Sequence, residues 1–451
     1  LENLESLKVN LPEDIMKAEV YGDYALAKKL INQRIKKNIP QLLRDRMLFE
    51  LIRIDRLNDS YSHSYSEALD ILKDNIKDFK SEELEELKDD GYADWIYVNG
   101  DVKFQNRFFQ NIIKTNPEYH ERLIDTSSKK KDDIEYKALS DDIDSIINEG
   151  KKSYYIKIKA GIKIKHAPKN EKVRVYIPIP KECEQIKKIN ILKTTYKPDY
   201  ISPADYPQRT ICFEREAKDN DTFEVEYEYI NSVTYNSVDN LKVDSSQPDF
   251  YTEEKLPHIV FTPYLKELYK EIAGDEKNPL IIARKIYDYI TQNVRYSFMR
   301  DYLAIDNITE YAALNFKGDC GVQALLFITL LRIGKIPARW QSGLYVNPYS
   351  IGPHDWAQFY ASPFGWLFAD LSFGGSAYRK GNLKRWNYYF GNIDNFRMVA
   401  NSDFQVDLLP ETKYMRNDPY DNQSGEIEYA HQRADSDEVE RIMDVLDMHE
   451  I

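Results

Sequence analysis

Residues 318–334 read Gly-Asp-Cys-Gly-Val-Gln-Ala-Leu-Leu-Phe-Ile-Thr-Leu-Leu-Arg-Ile-Gly. Val322, Leu325, Leu326, Thr329, Leu330 and Ile333 recur at helical spacing, and so wide an apolar stripe predicts a buried helix. Asp319 is placed as its N-cap, and Gly334, followed by Pro337, as its stop. Cys320 then falls in the first turn, among unpaired backbone N–H groups at the positive end of the helix dipole. That position lowers a thiol pKa and favours the nucleophilic thiolate. Gly318 and Gly321 leave room beside the sulfur for a substrate backbone. A lone cysteine in such a place is ordinarily a small core residue, and Cys183 and Cys212, in or beside expected strands, are read that way.

Two downstream residues change the reading of Cys320. His354 opens His-Asp-Trp-Ala-Gln-Phe-Tyr, Ser362-Pro363-Phe364-Gly365 is a turn signal, and Trp366-Leu367-Phe368-Ala369-Asp370 follows. A hairpin folding near residue 362 would make His354 and Asp370 direct cross-strand neighbours. A carboxylate beside an imidazole fixes its tautomer and stabilises the imidazolium, leaving the other ring nitrogen for a thiolate. Cys320, His354 and Asp370 are therefore the candidate catalytic residues.

The stretch 279–399 resembles the catalytic core of the transglutaminase-like superfamily. The family's nucleophile motif matches Gly318-Asp319-Cys320-Gly321, and its Gly-Ile-Pro-Ala-Arg ending matches Gly334 to Arg339 with one extra residue. His354-Asp355-Trp356 matches its His-x-Trp motif, Gly365-Trp366 through Asp370 its Gly-Trp-x-x-x-Asp motif, and Asn293-Val294-Arg295-Tyr296 its upstream helix end. The resemblance implies an α+β chain with a papain-like transglutaminase core, Cys320 as nucleophile, His354 as base and acid, and Asp370 as orienting group. Leu314 and Asn315 occupy the region where a papain-type oxyanion glutamine would lie. The oxyanion candidates are thus the Cys320 backbone N–H with Tyr296, and more weakly Gln341. Trp340 and Tyr345, expected in the loop before His354, and Trp356 are the candidate cleft residues. No paired CxxC or EF-hand-like loop is present, so no metal or cofactor is expected, and Asp301, Asp306 and Glu310 are read as solvated.

The remaining chain sets the frame. Its 451 residues suffice for two or three domains, and the net charge of −13 argues against nucleic acid as a partner. No run approaches the length of a membrane span, and the three cysteines show no disulfide spacing. Residues 1–150 read as a mainly α-helical region, with an Asn99-Gly100 hairpin and a charged surface crossing at 127–133. Alternation from Tyr154 to Ile230 predicts a β-sandwich over 151–238, with a bulge at Ala160-Gly161. The core is placed at 239–410. Residues 411–451 form an acidic tail of net charge −8. There Val439, Ile442, Met443 and Leu446 suggest a short amphipathic helix, capped by Asp435 with Glu438, that docks on its own protein.

The expected function is cysteine-dependent acyl transfer on protein or peptide amides through a thioester, in the hydrolytic manner of bacterial relatives. Two alternatives stand beside it: a cross-linking transglutaminase, and a non-catalytic binding or scaffold protein that retains the fold. Unpaired cysteines point to a cytoplasmic setting, with secretion open if a signal peptide preceded Leu1.

Overall fold

The computed structural model describes residues 4–168, 171–238, 241–432 and 438–451. Two compact units divide the chain: Leu1–Lys130 with Glu254–Leu265 and Asn293–Leu326, and Lys131–Glu253 with Lys266–Gln292 and Phe327–Ile451. Among the described residues no helix is long and apolar enough to cross a membrane.

In the first unit, helices Glu13–Val20, Tyr24–Arg34 and Gln41–Ser60 bury Ile15, Ala27, Ile31, Met47 and Ile54 in one cluster. Pro40 stands just before the third helix, where its missing N–H is harmless. Ser64 and Glu67 form a capping box for helix Tyr65–Asn75. The expected hairpin pairs Trp95–Val98 with Asp101–Phe104, and Asn99 and Gly100 take φ of 52° and 96° at its turn. Phe104 packs with Leu72, Leu84, Phe108 and Ile112 in a second cluster. The run at 127–133 is not a crossing: it opens helix Ser127–Glu149. The buried stripe of Leu139, Ile143 and Ile146 carries the polar first turns with it.

The second unit holds an α+β assembly built on three antiparallel sheets. One four-stranded sheet runs Glu426–Glu428, Lys172–Pro178, Thr210–Glu216, Tyr200–Ile201. The other runs Val439–Glu450, Lys151–Ile164, Thr222–Thr234, Ile186–Thr194. Phe213 and Phe223 meet between them at 5.9 Å. Gly161 keeps register with Glu224 instead of bulging, and a Cβ there would lie 2.5 Å from the Phe223 carbonyl oxygen. The five-stranded sheet is ordered Phe390–Gly391, Gly365–Ala369, Ser350–Ala361, Ala338–Asn347, Arg397–Asn401. Trp340 and Tyr345 therefore lie on a strand, not in a loop.

The tail corrects the sequence reading. Val439–Glu450 is a strand, not an amphipathic helix, and it pairs antiparallel with Lys151–Ile164. Its apolar residues fit either period, but β-branched Val439, Ile442 and Val445 favour an extended chain. Cross-strand charge adds to this, since Glu440 stands opposite Lys163, Asp444 opposite Lys159 and Asp447 opposite Lys157. Lys159 Nζ lies 2.9 Å from Asp444, and Lys163 Nζ 3.7 Å from Glu440. A register shift between Val445 and Asp447 takes up Leu446. Asp435 lies outside the described residues.

Deleting residues 439–451 removes an edge strand and bares the apolar-alternating Lys151–Ile164. Roughly ten ladder hydrogen bonds at a net ~0.5 kcal/mol each put the loss of stability at the order of 5 kcal/mol. Urea unfolding monitored by circular dichroism is the measurement, and Asp444→Ala alone should leave the midpoint nearly unchanged.

Candidate active site

The Cys320 segment is built within the first unit. Arg295 and Tyr296 pair in parallel with Lys317 and Gly318, so that Tyr296 faces Gly318. The Ser297 N–H donates to the Gly318 carbonyl at 3.1 Å. Helix Cys320–Ile333 starts two residues on, and Asp319 is its N-cap. Asp319 Oδ1 accepts from the Val322 N–H at 3.1 Å and from the Tyr302 hydroxyl. Burial raises the pKa of this carboxyl. Cys320 occupies the first helical position and is partly exposed. A Cβ on Gly318 would come 2.4 Å from Val322 Cγ1, so the helix's own first turn requires this glycine.

The N-terminal helical region anchors that segment through contacts no motif announced. Lys317 Nζ lies 2.5 Å from Asp94 Oδ1, and Asp94 Oδ2 accepts from the Tyr61 hydroxyl at 2.7 Å. Burial opposes the charge on Asp94, yet Lys317 wins and its pKa is lowered. Asn111 brackets Phe298, accepting its N–H at 2.6 Å and donating to its carbonyl at 3.3 Å. Gln105 donates to the Met299 carbonyl at 3.2 Å. Of the carboxylates expected to be solvated, Asp306 is exposed, and all three are also engaged. Asp301 accepts the Leu303 N–H at 2.9 Å, Asp306 pairs with Arg53, and Glu310 accepts from the Thr262 hydroxyl at 2.8 Å.

His354 and Asp370 lie in the second unit. In the hairpin, Ala357 stands opposite Ala369 and Ala361 opposite Gly365. Asp370 thus falls opposite position 356, and His354 is its diagonal neighbour, not its direct one. The three-residue turn 362–364 displaces the register by two, which leaves both side chains on one face. Asp370 ends the strand and serves as N-cap of helix Leu371–Arg379. His354 Nε2 lies 2.8 Å from Asp370 Oδ2.

Asp370 is fully buried and well supplied with donors. Oδ1 accepts from the Phe373 N–H at 2.9 Å and the Ser372 hydroxyl at 3.2 Å, and Arg397 reaches Oδ2 at 2.9 Å. Burial alone would raise its pKa, but His354 and Arg397 hold it at about 2. Burial likewise pulls His354 below its ordinary value, against the attraction of Asp370. The ring is therefore neutral near pH 7, with its proton on Nε2 and Nδ1 as the basic atom. Phe373, Trp356 and Tyr345 pack around it at centroid distances of 4.5, 6.0 and 6.3 Å. Gln423 donates to the His354 carbonyl at 3.0 Å. Gly343, directly opposite His354, has φ of 158°, and a Cβ there would lie 2.0 Å from the Met398 carbonyl oxygen.

Three candidates from the sequence are placed elsewhere. Gln341 is fully buried, and its Oε1 accepts from Trp356 Nε1 at 2.6 Å and Gln185 Nε2 at 2.7 Å. It anchors Trp356 and is not exposed to a substrate oxyanion. Trp356 is 0% and Trp340 2% exposed, the latter against Phe404 at 5.1 Å. Both pack the inner strands of the five-stranded sheet, where the two faces are covered, and neither lines a cleft. Tyr345 is half-buried beside His354. Tyr296 keeps its place next to the nucleophile segment, with Lys114 Nζ 4.0 Å from its ring centre. Desolvation pushes the Cys183 thiol up to about 11 and the Cys212 thiol up to about 12, so both are inert near neutral pH.

The depressed pKa of Asp370 stabilises the folded chain above the ordinary aspartate value of 3.8, and this contribution is lost as pH falls from there toward about 2. Asp370→Asn should therefore cost more at pH 7 than at pH 2.5. The difference should be on the order of 2 kcal/mol, read by chemical denaturation at both values.

Residues 266–371 match the core of the transglutaminase-like superfamily. No curated protein matches the sequence. Among solved structures, a candidate cysteine protease from Cytophaga hutchinsonii aligns at 15% identity over 66% of this chain and 91% of its own, with a TM-score of 0.38. The periplasmic domain of TgpA from Pseudomonas aeruginosa aligns at 12% identity over 55% of this chain and 96% of its own, with a TM-score of 0.29. A candidate protease from Parabacteroides distasonis aligns at 10% identity over 47% of this chain and 42% of its own, with a TM-score of 0.22. Cys320, His354 and Asp370 all fall inside the matched segment. Over residues 266–371, then, this chain carries a domain of the transglutaminase-like superfamily.

Proposed function

We propose that the protein is a cysteine-dependent acyl-transfer enzyme that hydrolyses protein or peptide amides, with Cys320, His354 and Asp370 as its working residues. The observation that carries this reading is the buried His354–Asp370 pair at 2.8 Å, which leaves a neutral imidazole with a basic Nδ1. A partly exposed thiol at the first turn of a capped helix supports it from the other side.

In this reading Nδ1 takes the thiol proton, and the Cys320 sulfur attacks the amide carbonyl. The tetrahedral oxyanion receives the Cys320 backbone N–H and the Tyr296 hydroxyl. His354 returns the proton to the leaving amine as the C–N bond breaks and the thioester forms. Water, deprotonated by the same nitrogen, then attacks the thioester, releasing the acid and restoring the thiol. A lysine amine in place of water would give a cross-link.

Alkylation by iodoacetamide across pH is the direct test. Cys320 should react near pH 7 at least about ten times faster than Cys183 or Cys212, and His354→Ala should remove most of that advantage. Equal rates for the three thiols would reject the catalytic reading in favour of a non-catalytic scaffold. Cys320→Ala should lower peptide cleavage by at least about a thousandfold. Incorporation of a fluorescent amine into a glutamine-containing protein, without cleavage, would turn the assignment to the cross-linking reaction.

A further inference from the structure

The chain is acidic overall, yet the neighbourhood of Cys320 within the first unit is cationic. Helix Phe108–Thr115 presents Arg107 at its start and Lys114 in its last turn. The Arg107 guanidinium stacks 3.3 Å from the centre of the Phe298 ring, and Lys114 Nζ lies 4.0 Å from Tyr296 and 4.9 Å from Phe298. Tyr296 and Phe298 are themselves in edge contact at 5.4 Å. Strand pairing sets Tyr296 opposite Gly318, two residues before the nucleophile. The two aromatic rings thus form a platform that carries both cations to the Cys320 segment.

Two further cations of this neighbourhood are held by the fold. Arg295 donates to the Asp90 carbonyl at 3.4 Å, and Lys317 is paired with Asp94. Among the described residues no carboxylate lies within ion-pair distance of Arg107, although its side chain is exposed. Arg107 is within electrostatic reach of Tyr296, Asp319 and Cys320, and partial burial pulls it below its usual value. A guanidinium held over a ring face remains able to donate to a carboxylate.

We propose that Arg107, with Lys114, forms an anion-binding subsite beside Cys320 that selects substrates bearing a carboxylate close to the scissile amide. This rests on the reading of Cys320 as the nucleophile and names the class of substrate it would take.

The test compares two alkylating agents that differ in charge. With each, the thiolate forms an S–C bond and iodide leaves; iodoacetate carries a carboxylate and iodoacetamide does not. Relative to the same ratio on glutathione, the iodoacetate-to-iodoacetamide rate ratio at Cys320 should be raised about fivefold at low salt and fall toward unity at 1 M salt. Arg107→Gln should lower the ratio severalfold, Arg107→Lys should keep much of it, and Lys114→Gln should lower it less. A ratio unaffected by salt or by these substitutions, or equal slowing with both agents, overturns the subsite and leaves Arg107 as a packing residue. Failure of the nucleophile assignment looks different, because Cys320 would then react with iodoacetamide no faster than Cys183 or Cys212. The salt titration uses the unaltered protein and stands even if a variant folds poorly.

Discussion

A fully buried carboxylate shared between an imidazole and a guanidinium is the constraint around which the second unit is arranged. Asp370 remains ionised only because His354 and Arg397 both reach its Oδ2. Arg397, itself fully buried, must also be compensated, and Asp394 does so. Asp394 then accepts from the Tyr389 hydroxyl at 2.9 Å and the Phe396 N–H at 2.9 Å. The sandwich is tied into the same chain of contacts. Tyr229 and Asn231 donate to the Arg397 carbonyl at 3.1 and 2.8 Å. Removing water from so many charges is costly unless each finds a partner, so one buried aspartate obliges strand, helix cap and sandwich to close together.

The local settings of Cys320 and of the His354–Asp370 pair were legible in the sequence, because their logic is local. A cap residue, a cysteine and an apolar stripe are enough to place a thiol in the first turn of a buried helix. A turn signal between two strands is enough to set a histidine and an aspartate on one face. The register was displaced by two residues, which the period of the strand forgives, whereas a displacement of one would have separated them. Burial was less legible. Trp340, Trp356 and Gln341 lie on inner strands whose two faces are both covered, and alternation of residue types does not say which strand is inner. Arg397 was missed altogether, since its link to Asp370 is made by sheet order and not by spacing.

The tail shows why fold reading fails where partners are distant. Val439 to Leu446 satisfies a helical stripe, but a helix would leave the lysines of Lys151–Ile164 facing solvent along one edge. The strand places Glu440, Asp444 and Asp447 opposite them. The same pairing covers the apolar-alternating strand and leaves a charged strand at the edge, where it discourages pairing with other chains. Much of the chain's net charge of −13 sits in this tail, where part of it faces a basic strand. Net charge therefore says little about the field a substrate would meet.

The surroundings of Cys320 within the first unit are set by the region that matched no motif. The superfamily core spans 266–371, but the residues that hold Lys317, Phe298 and Met299 come from Asp94, Asn111 and Gln105. These contacts span about two hundred residues of sequence, so loop closure must precede them and no local pattern can foretell them. A short parallel pair of two residues on each strand has little stability of its own. The Cys320 segment keeps its shape because Asp94, Asn111 and Gln105 of the N-terminal region hold it at Lys317, Phe298 and Met299. A region that bore no motif in this way holds the Cys320 segment in place within the first unit.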